Sequence, residues 1–263
     1  MIILFFGDLV GRLGRVGLAK VLPELKNEIK PDLIVANIDN LAHGKGLTAK
    51  TMREMVALGI DCFTSGNHTW KKEEPLIAAR DSAANLVLPA NDLRVKTSER
   101  YKILTTSEGE KVALVNLLGR VNMGDQTVTC PFKEADKLLE EIQDVPVIVD
   151  FHAETTSEKV ALGWYLAGRA AAVLGTHTHI QTADERILPG GTAYITDVGM
   201  VGPGDSVLGV NKDTIIKKFL TDGPIIFDLP ESGPVEINGV VIDLDATTGK
   251  ATAIARIRRN VII

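Results

Sequence analysis

The run Ile2-Ile3-Leu4-Phe5-Phe6-Gly7-Asp8 sets the frame for the rest of the chain. Five apolar residues in succession, closed by a glycine and a carboxylate, read as a short strand buried on both faces that stops where the chain turns. Leu18, Val21, Leu22, Leu25 and Ile29 then recur at helical spacing until Pro31-Asp32 ends the helix. The unit repeats. Leu33 to Ala36 is a second apolar run, closed by Asn37-Ile38-Asp39-Asn40, and beyond the glycine-bearing loop His43 to Leu47 the residues Met52, Met55 and Val56 mark a second helix. Asp61 to Ser65 reads as a third strand that stops at Gly66-Asn67-His68, and the charged stretch from Lys71 predicts a third helix.

Residues 90–110 carry no periodicity that assigns an element, but the pattern then returns. Val112 to Leu117 reads as a buried strand and Phe132 to Ile142 as an amphipathic helix. Val145 to Val149 runs into Asp150-Phe151-His152, Ser157 to Leu166 is helical in pattern, and Ala171 to Leu174 ends in Gly175-Thr176-His177-Thr178-His179. Thr192 to Thr196 is a further strand, Gly199 to Gly204 a glycine-rich loop, and the C-terminal part is β-rich with a hairpin turn at Thr247-Thr248-Gly249-Lys250. Strands alternating with helices predict parallel sheets whose carboxyl ends gather on one edge, where open α/β folds bind ligands. Five strand ends carry Asp8, Asp39-Asn40, Asn67-His68, His152 and His177-x-His179, the arrangement of a composite site built from separate loops.

Composition narrows the partners. A chain of 263 residues that is 45% hydrophobic and 24% charged can bury a full core, and residues 1–263 read as one domain without linker or repeat. Asp and Glu number 34 against 29 Lys and Arg, a net charge of -5, which disfavours condensation on long duplex nucleic acid. A small anionic substrate remains compatible, because bound cations create positive charge that the net figure does not report. Cys62 and Cys130 stand apart from any Cys-x-x-Cys pattern, so neither a disulfide framework nor a thiolate zinc site is expected, and a reducing cytoplasm fits. The apolar start is too short and too soon interrupted for a signal peptide or a membrane span.

Four of the five histidines stand at the strand ends, beside short Asp and Asn side chains. Imidazole nitrogen with carboxylate and amide oxygen suits iron, manganese, zinc or cobalt and matches calcium or copper(I) poorly. In His177-x-His179 the two side chains cannot serve one ion identically from a regular strand face, but at a strand-to-loop junction they can serve two neighbouring ions. Two ions roughly 3.5–4 Å apart clamp a phosphoryl group and activate the attacking oxygen, with Asp39 the natural bridging carboxylate.

In this order, Gly7-Asp8, Asp39-Asn40, Gly66-Asn67-His68, His152 and Gly175-x-His177-x-His179 resemble the motif series of the calcineurin-like metallophosphoesterase superfamily. Phe151-His152-Ala153-Glu154, the run Thr156 to Trp164, and Gly175 to Gly202 with Ile180 to Asp184 and Ile195 to Gly199 resemble more closely the YmdB-type bacterial metallophosphodiesterases, over essentially the whole chain. The resemblance implies an α/β fold, a two-sheet sandwich flanked by helices (αββα), with a dinuclear iron- or manganese-type centre, zinc being an alternative. It implies phosphodiesterase activity that includes 2′,3′- or 3′,5′-cyclic nucleotides, and a homo-oligomer. Carried over, Asp8, Asn40 and His179 would hold one metal, Asn67, His152 and His177 the other, Asp39 would bridge, and His68 would be the catalytic acid. The family commonly has Gly-Glu-Asn where this chain has Ile38-Asp39-Asn40, and small residues where it has His43 and Lys45.

Other readings compete with parts of this pattern. Metal-dependent amidohydrolases also use His-x-His on parallel strands, but place it early, whereas here it comes last. A regulatory protein that binds metal and nucleotide with little turnover would use the same residues. Arg12 and Arg15 read as helix-surface charges or as phosphate ligands, His43 and Lys45 as solvated loop residues or substrate contacts, and Glu154 as a residue that orients His152 or caps the following helix.

Overall fold

The computed structural model describes residues 1–71, 85–124, 127–221 and 227–263. The helix expected from Lys71 onward falls largely outside them. Strand β1 (Ile2–Phe6) leads through the two-residue strand β2 (Asp8–Leu9) into helix α1 (Gly11–Ile29), which ends at Lys30 in a left-handed conformation just before Pro31. Next come β3 (Leu33–Asn37), α2 (Ala49–Ala57), β4 (Cys62–Thr64) and β5 (Leu86–Val87). Helix α2 opens on a capping box in which Thr48 and Thr51 satisfy each other's backbone N–H. The middle of the chain supplies β6 (Tyr101–Thr105), β7 (Lys111–Leu118), α3 (Pro131–Glu141), β8 (Val147–His152), α4 (Thr156–Leu166) and β9 (Ala172–Thr176). It closes with β10 (Arg186–Leu188), β11 (Thr192–Ile195), β12 (Met200–Pro203), α5 (Lys212–Thr221), β13 (Pro234–Leu244) and β14 (Ala251–Ile262).

Among the described residues these strands form two sheets. The first has the order β2-β12-β13-β1-β3-β4-β5 with β14 also paired to β13, and the second β10-β11-β9-β8-β7-β6. The neighbours β1-β3-β4-β5 and β7-β8-β9-β11 are parallel, as the alternation of strands and helices requires. The segment Gly199 to Gly204, expected as a loop, contains strand β12, which pairs with β2 and β13. Strand β6 lies in the stretch that had no readable periodicity.

Period-two alternation divides each strand between two layers. Ile3, Phe5, Leu33, Val35, Cys62, Ile148, Leu174 and Ile195 pack between the sheets. Leu4, Phe6 and Phe63 face α1 and α2, while Val149, Phe151 and Leu162 pack in the layer between the second sheet and its helices. The result is an αββα sandwich, as the resemblance implied. Toward the carboxyl ends the inter-sheet layer changes from apolar to polar: Val35 gives way to Asn37 and Ile148 to Asp150 and His152, all buried. A one-residue slip of β8 would drive Asp150 and His152 into the apolar layer under α4. A buried unpartnered polar group costs on the order of 1–3 kcal/mol, so this polar pair helps fix the register.

Candidate active site

The polar end of the inter-sheet layer is where the sequence-predicted residues meet. Asp8, Asp39, Asn40, Asn67 and His68 come from ends of the first sheet, and His152, His177 and His179 from ends of the second. All eight are linked by short contacts. Asp8 Oδ2 accepts the His177 backbone N–H at 3.0 Å, and Asp8 Oδ1 lies 3.7 Å from His152 Nδ1 and 3.8 Å from His179 Nε2. His152 Nε2 stands 3.1 Å from His177 Nδ1, 3.2 Å from Asn67 Oδ1 and 3.4 Å from Asp39 Oδ2. His179 Nε2 is 3.4 Å from Asn40 Oδ1. Asp39 accepts the His68 backbone N–H at 2.9 Å, and its Oδ2 lies 2.9 Å from His68 Nδ1.

Local geometry explains the convergence. Strand β9 stops at Thr176, and His177 and His179 both adopt positive φ, 93° and 65°, so the turn aims their rings into two different neighbourhoods. Thr178 between them is tied down, its N–H and hydroxyl both reaching Asp197 Oδ2 at 3.1 and 2.6 Å. On the opposite wall, Gly66 must be glycine: a Cβ there would lie 2.3 Å from His152 Nε2.

Each imidazole of the three has its outer nitrogen engaged. His152 Nδ1 is 2.9 Å from Thr176 Oγ1, His177 Nε2 is 3.0 Å from Glu154 Oε2, and His179 Nδ1 is 3.0 Å from the Leu208 carbonyl. Glu154 therefore partners His177, not His152. The inner nitrogens of His152 and His177 face each other, that of His152 also faces Asn67 and Asp39, and that of His179 faces Asn40 and Asp8. Two bare ring nitrogens cannot face each other at 3.1 Å without a proton or a cation between them. Without metal, His152 supplies the proton. Burial opposes its charge, but Asp39, Asp8 and Asp150 outweigh that and raise it to about 9. His177, pushed down to about 2 by burial and by the charged His152, stays neutral. Burial works against the Asp39 charge as well, yet His152 and His68 hold its carboxyl well below the usual range. Asp8 shifts upward because burial outweighs the pull of His179 and His152.

These residues fit divalent cations. Asp8 Oδ1 is buried with no hydrogen-bond partner, in a cluster of inward-facing nitrogen and oxygen donors. Among the described residues no group of three His, Cys, Asp or Glu is arranged to hold an ion by itself, and Asn40 and Asn67 add amide oxygens beside His179 and His152. The mouth of the cluster is a cavity of about 270 Å³ lined by Asn40, His68, Glu154, His177, Thr178, His179 and Leu208.

The other sequence candidates are placed away from this chemistry. Arg15 is spent on Glu54 and the Leu41 carbonyl, and Arg12 on the Glu231 carbonyl. His43 and Lys45 are exposed, Lys45 lying over the Phe227 ring. Cys62 packs in the core with its thiol pushed up to about 12 by burial. Sequence reasoning did not single out Thr176, Asp197 or Leu208, which touch the site residues directly. A polar residue at the end of an apolar run was the available signal for the first two.

Residues 4–257 match the family described as YmdB-like protein. The chain belongs to the YmdB-like family. A 2′,3′-cyclic-nucleotide 2′-phosphodiesterase of Bacillus subtilis is 48% identical over 262 residues, covering 99% of this chain and 97% of that protein. Among solved structures, a hypothetical protein from Thermus thermophilus superposes at a TM-score of 0.90 with 36% identity and 99% coverage of both chains. A structure described as a novel phosphatase from Mycoplasma pneumoniae gives 0.89, with 36% identity and coverage of 99% and 93%. Among the described residues no helix is long and apolar enough to cross a membrane.

Proposed function

We propose that this YmdB-like protein is a metal-dependent phosphodiesterase acting on small phosphodiesters, cyclic nucleotides foremost. The observation that carries the reading is the convergence of three inward-facing imidazole nitrogens with Asp8, Asp39, Asn40 and Asn67. Membership of a family whose Bacillus subtilis relative is named a cyclic-nucleotide phosphodiesterase supplies the substrate class. Asp8, Asn40 and His179 would hold one ion, Asn67, His152 and His177 a second, with Asp39 between them. Iron or manganese suits this nitrogen and oxygen set, and zinc is accommodated. When bound, such ions polarise the phosphoryl oxygens and lower the pKa of water.

The chain's own residues do the rest. His68 lines the mouth with Nδ1 engaged by Asp39 Oδ2, which leaves Nε2 as the ring atom able to hand a proton to the leaving oxygen. Asp39 thus serves both as a metal-side carboxylate and as the group that orients the acid. Asn40 is held by its amide on the Gly44 carbonyl at 2.9 Å, keeping its oxygen on the His179 side.

Alanine at Asp39 is expected to reduce metal content and abolish cleavage of a chromogenic phosphodiester. A panel of cyclic mononucleotides, cyclic dinucleotides and phosphomonoesters then ranks the substrates. Full activity in metal-free protein would overturn the assignment, and tight nucleotide binding without product under any metal would make the protein a regulator instead.

A further inference from the structure

Behind the metal-facing residues runs a chain of buried hydrogen bonds whose donor directions follow one from the next while Asp150 is ionised. It begins at the backbone N–H of Asp39, which can only donate, and does so to Asn37 Oδ1 at 2.9 Å. That fixes the Asn37 amide, whose Nδ2 donates to Asp150 Oδ2 at 2.9 Å and to the Ser65 carbonyl at 3.0 Å. The Asp150 carboxylate only accepts, so the Thr176 hydroxyl donates its single hydrogen to Asp150 Oδ1 at 2.7 Å. Thr176 Oγ1 is left with lone pairs alone to offer His152 Nδ1 at 2.9 Å.

The sheet register builds this in. His152 and Thr176 are direct partners in the parallel ladder of β8 and β9, and Asp150 shares the inter-sheet face of β8 with His152. Asn37 reaches across from β3 in the other sheet. All four side chains are shielded from solvent.

We propose that Asp150 and Thr176 are positioning residues, a one-way relay that places the hydrogen of His152 on Nδ1 and so presents Nε2 bare to the metal position. The functional consequence rests on the metal reading above; the tautomer assignment stands on the hydrogen bonds. Asparagine at Asp150 is the decisive change. Facing the Asn37 amide, its own oxygen turns toward Asn37 and its NH2 toward Thr176. The threonine hydroxyl is then released to donate to His152 Nδ1, which moves the ring hydrogen to Nε2. A histidine driven into the wrong tautomer by such an exchange loses function with its geometry intact.

The experiment compares Asp150→Asn, Thr176→Val and Thr176→Ser with the unaltered protein. Metal affinity is measured by competition with a chromogenic chelator, and the His152 tautomer by nitrogen-15 NMR of metal-free protein in a His177→Ala background, which removes the ring nitrogen facing Nε2, at a pH where the His152 ring is neutral. Ser should retain affinity within about twofold, while Val and Asn should weaken it about 10- to 100-fold, the usual effect of losing a partner that orients a metal ligand. Asp150→Asn should also show hydrogen on Nε2. Unaltered affinity and tautomer in Asp150→Asn would overturn the relay. Weakened binding with the hydrogen still on Nδ1 would overturn it too, since the loss would then come through packing. An unaltered protein that binds no divalent ion would defeat the metal reading, while the spectra still decide the tautomer.

Discussion

Lys159 Nζ stands 2.7 Å from Asp197 Oδ2, an ion pair with both side chains at most 1% exposed. Lys159 also donates to Thr178 Oγ1 at 2.9 Å, and Asp197 Oδ1 accepts the Gly199 N–H at 2.7 Å. The pair thus pins the residue between His177 and His179 to helix α4 and to the loop after β11. Lys159→Met leaves a buried carboxylate uncompensated and is expected to cost about 3–5 kcal/mol, read by urea denaturation. Adding Asp197→Asn should recover part of that loss, because a neutral buried pair avoids the stranded charge. Equal cost in the single and double variants would show that the charges do not matter.

Glu154 stands half-exposed at the mouth and holds His177 Nε2. Glu154→Ala is expected to weaken metal binding toward the tenfold end of the effect of losing a ligand-orienting partner, because water can replace an exposed carboxylate. Titration with manganese followed by electron paramagnetic resonance checks this, and unchanged affinity would remove Glu154 from the site.

Metal affinity should rise with pH. His152 must shed its proton before Nε2 can accept a cation, and its pKa is raised to about 9, so apparent affinity should climb about tenfold per pH unit from neutrality and level off near 9. His177, already neutral above about 2, adds nothing to this slope. The sign reverses for metal-free protein. The raised pKa of His152 stabilises that form fully below its ordinary 6.5, and the contribution is lost as pH rises through about 9. Calorimetry in buffers of different ionisation enthalpy should find one proton released per ion bound at that position.

Gly66→Ala places a methyl group 2.3 Å from His152 Nε2, so ring or loop must move. A displacement on the order of 1 Å in a positioned group costs roughly a hundredfold in rate. Activity should fall at least that far, measured on a chromogenic phosphodiester. Near-normal turnover would place His152 outside the reacting centre.

The contact framework of the site was readable in advance because its residues sit where apolar runs stop. Asp8, Asp39, Asn67, His152 and His177 each stand at or just past the end of a strand whose burial is encoded locally. Strand β12 was not readable: Met200 to Pro203 is held by β2 and by β13, more than thirty residues later, and its glycine suited a loop equally well. The role of Glu154 was not readable: its place in the chain suits a partner of His152 or a helix cap, whereas the left-handed turn after β9 brings His177 to it. Lys159 reads as an ordinary helix-surface lysine, and only the docking of α4 shows its amine buried. The inner layer of the site is thus a local property of strand ends, and the layer behind it belongs to the packing of the two sheets.

The amide of His177 reaches the carboxylate of Asp8 across 169 positions of chain, from one sheet to the other. Such a tie makes the pocket a test of complete assembly. Under the proposed function neither slab alone gathers the full donor set, and a chain with one slab undocked lacks the pocket.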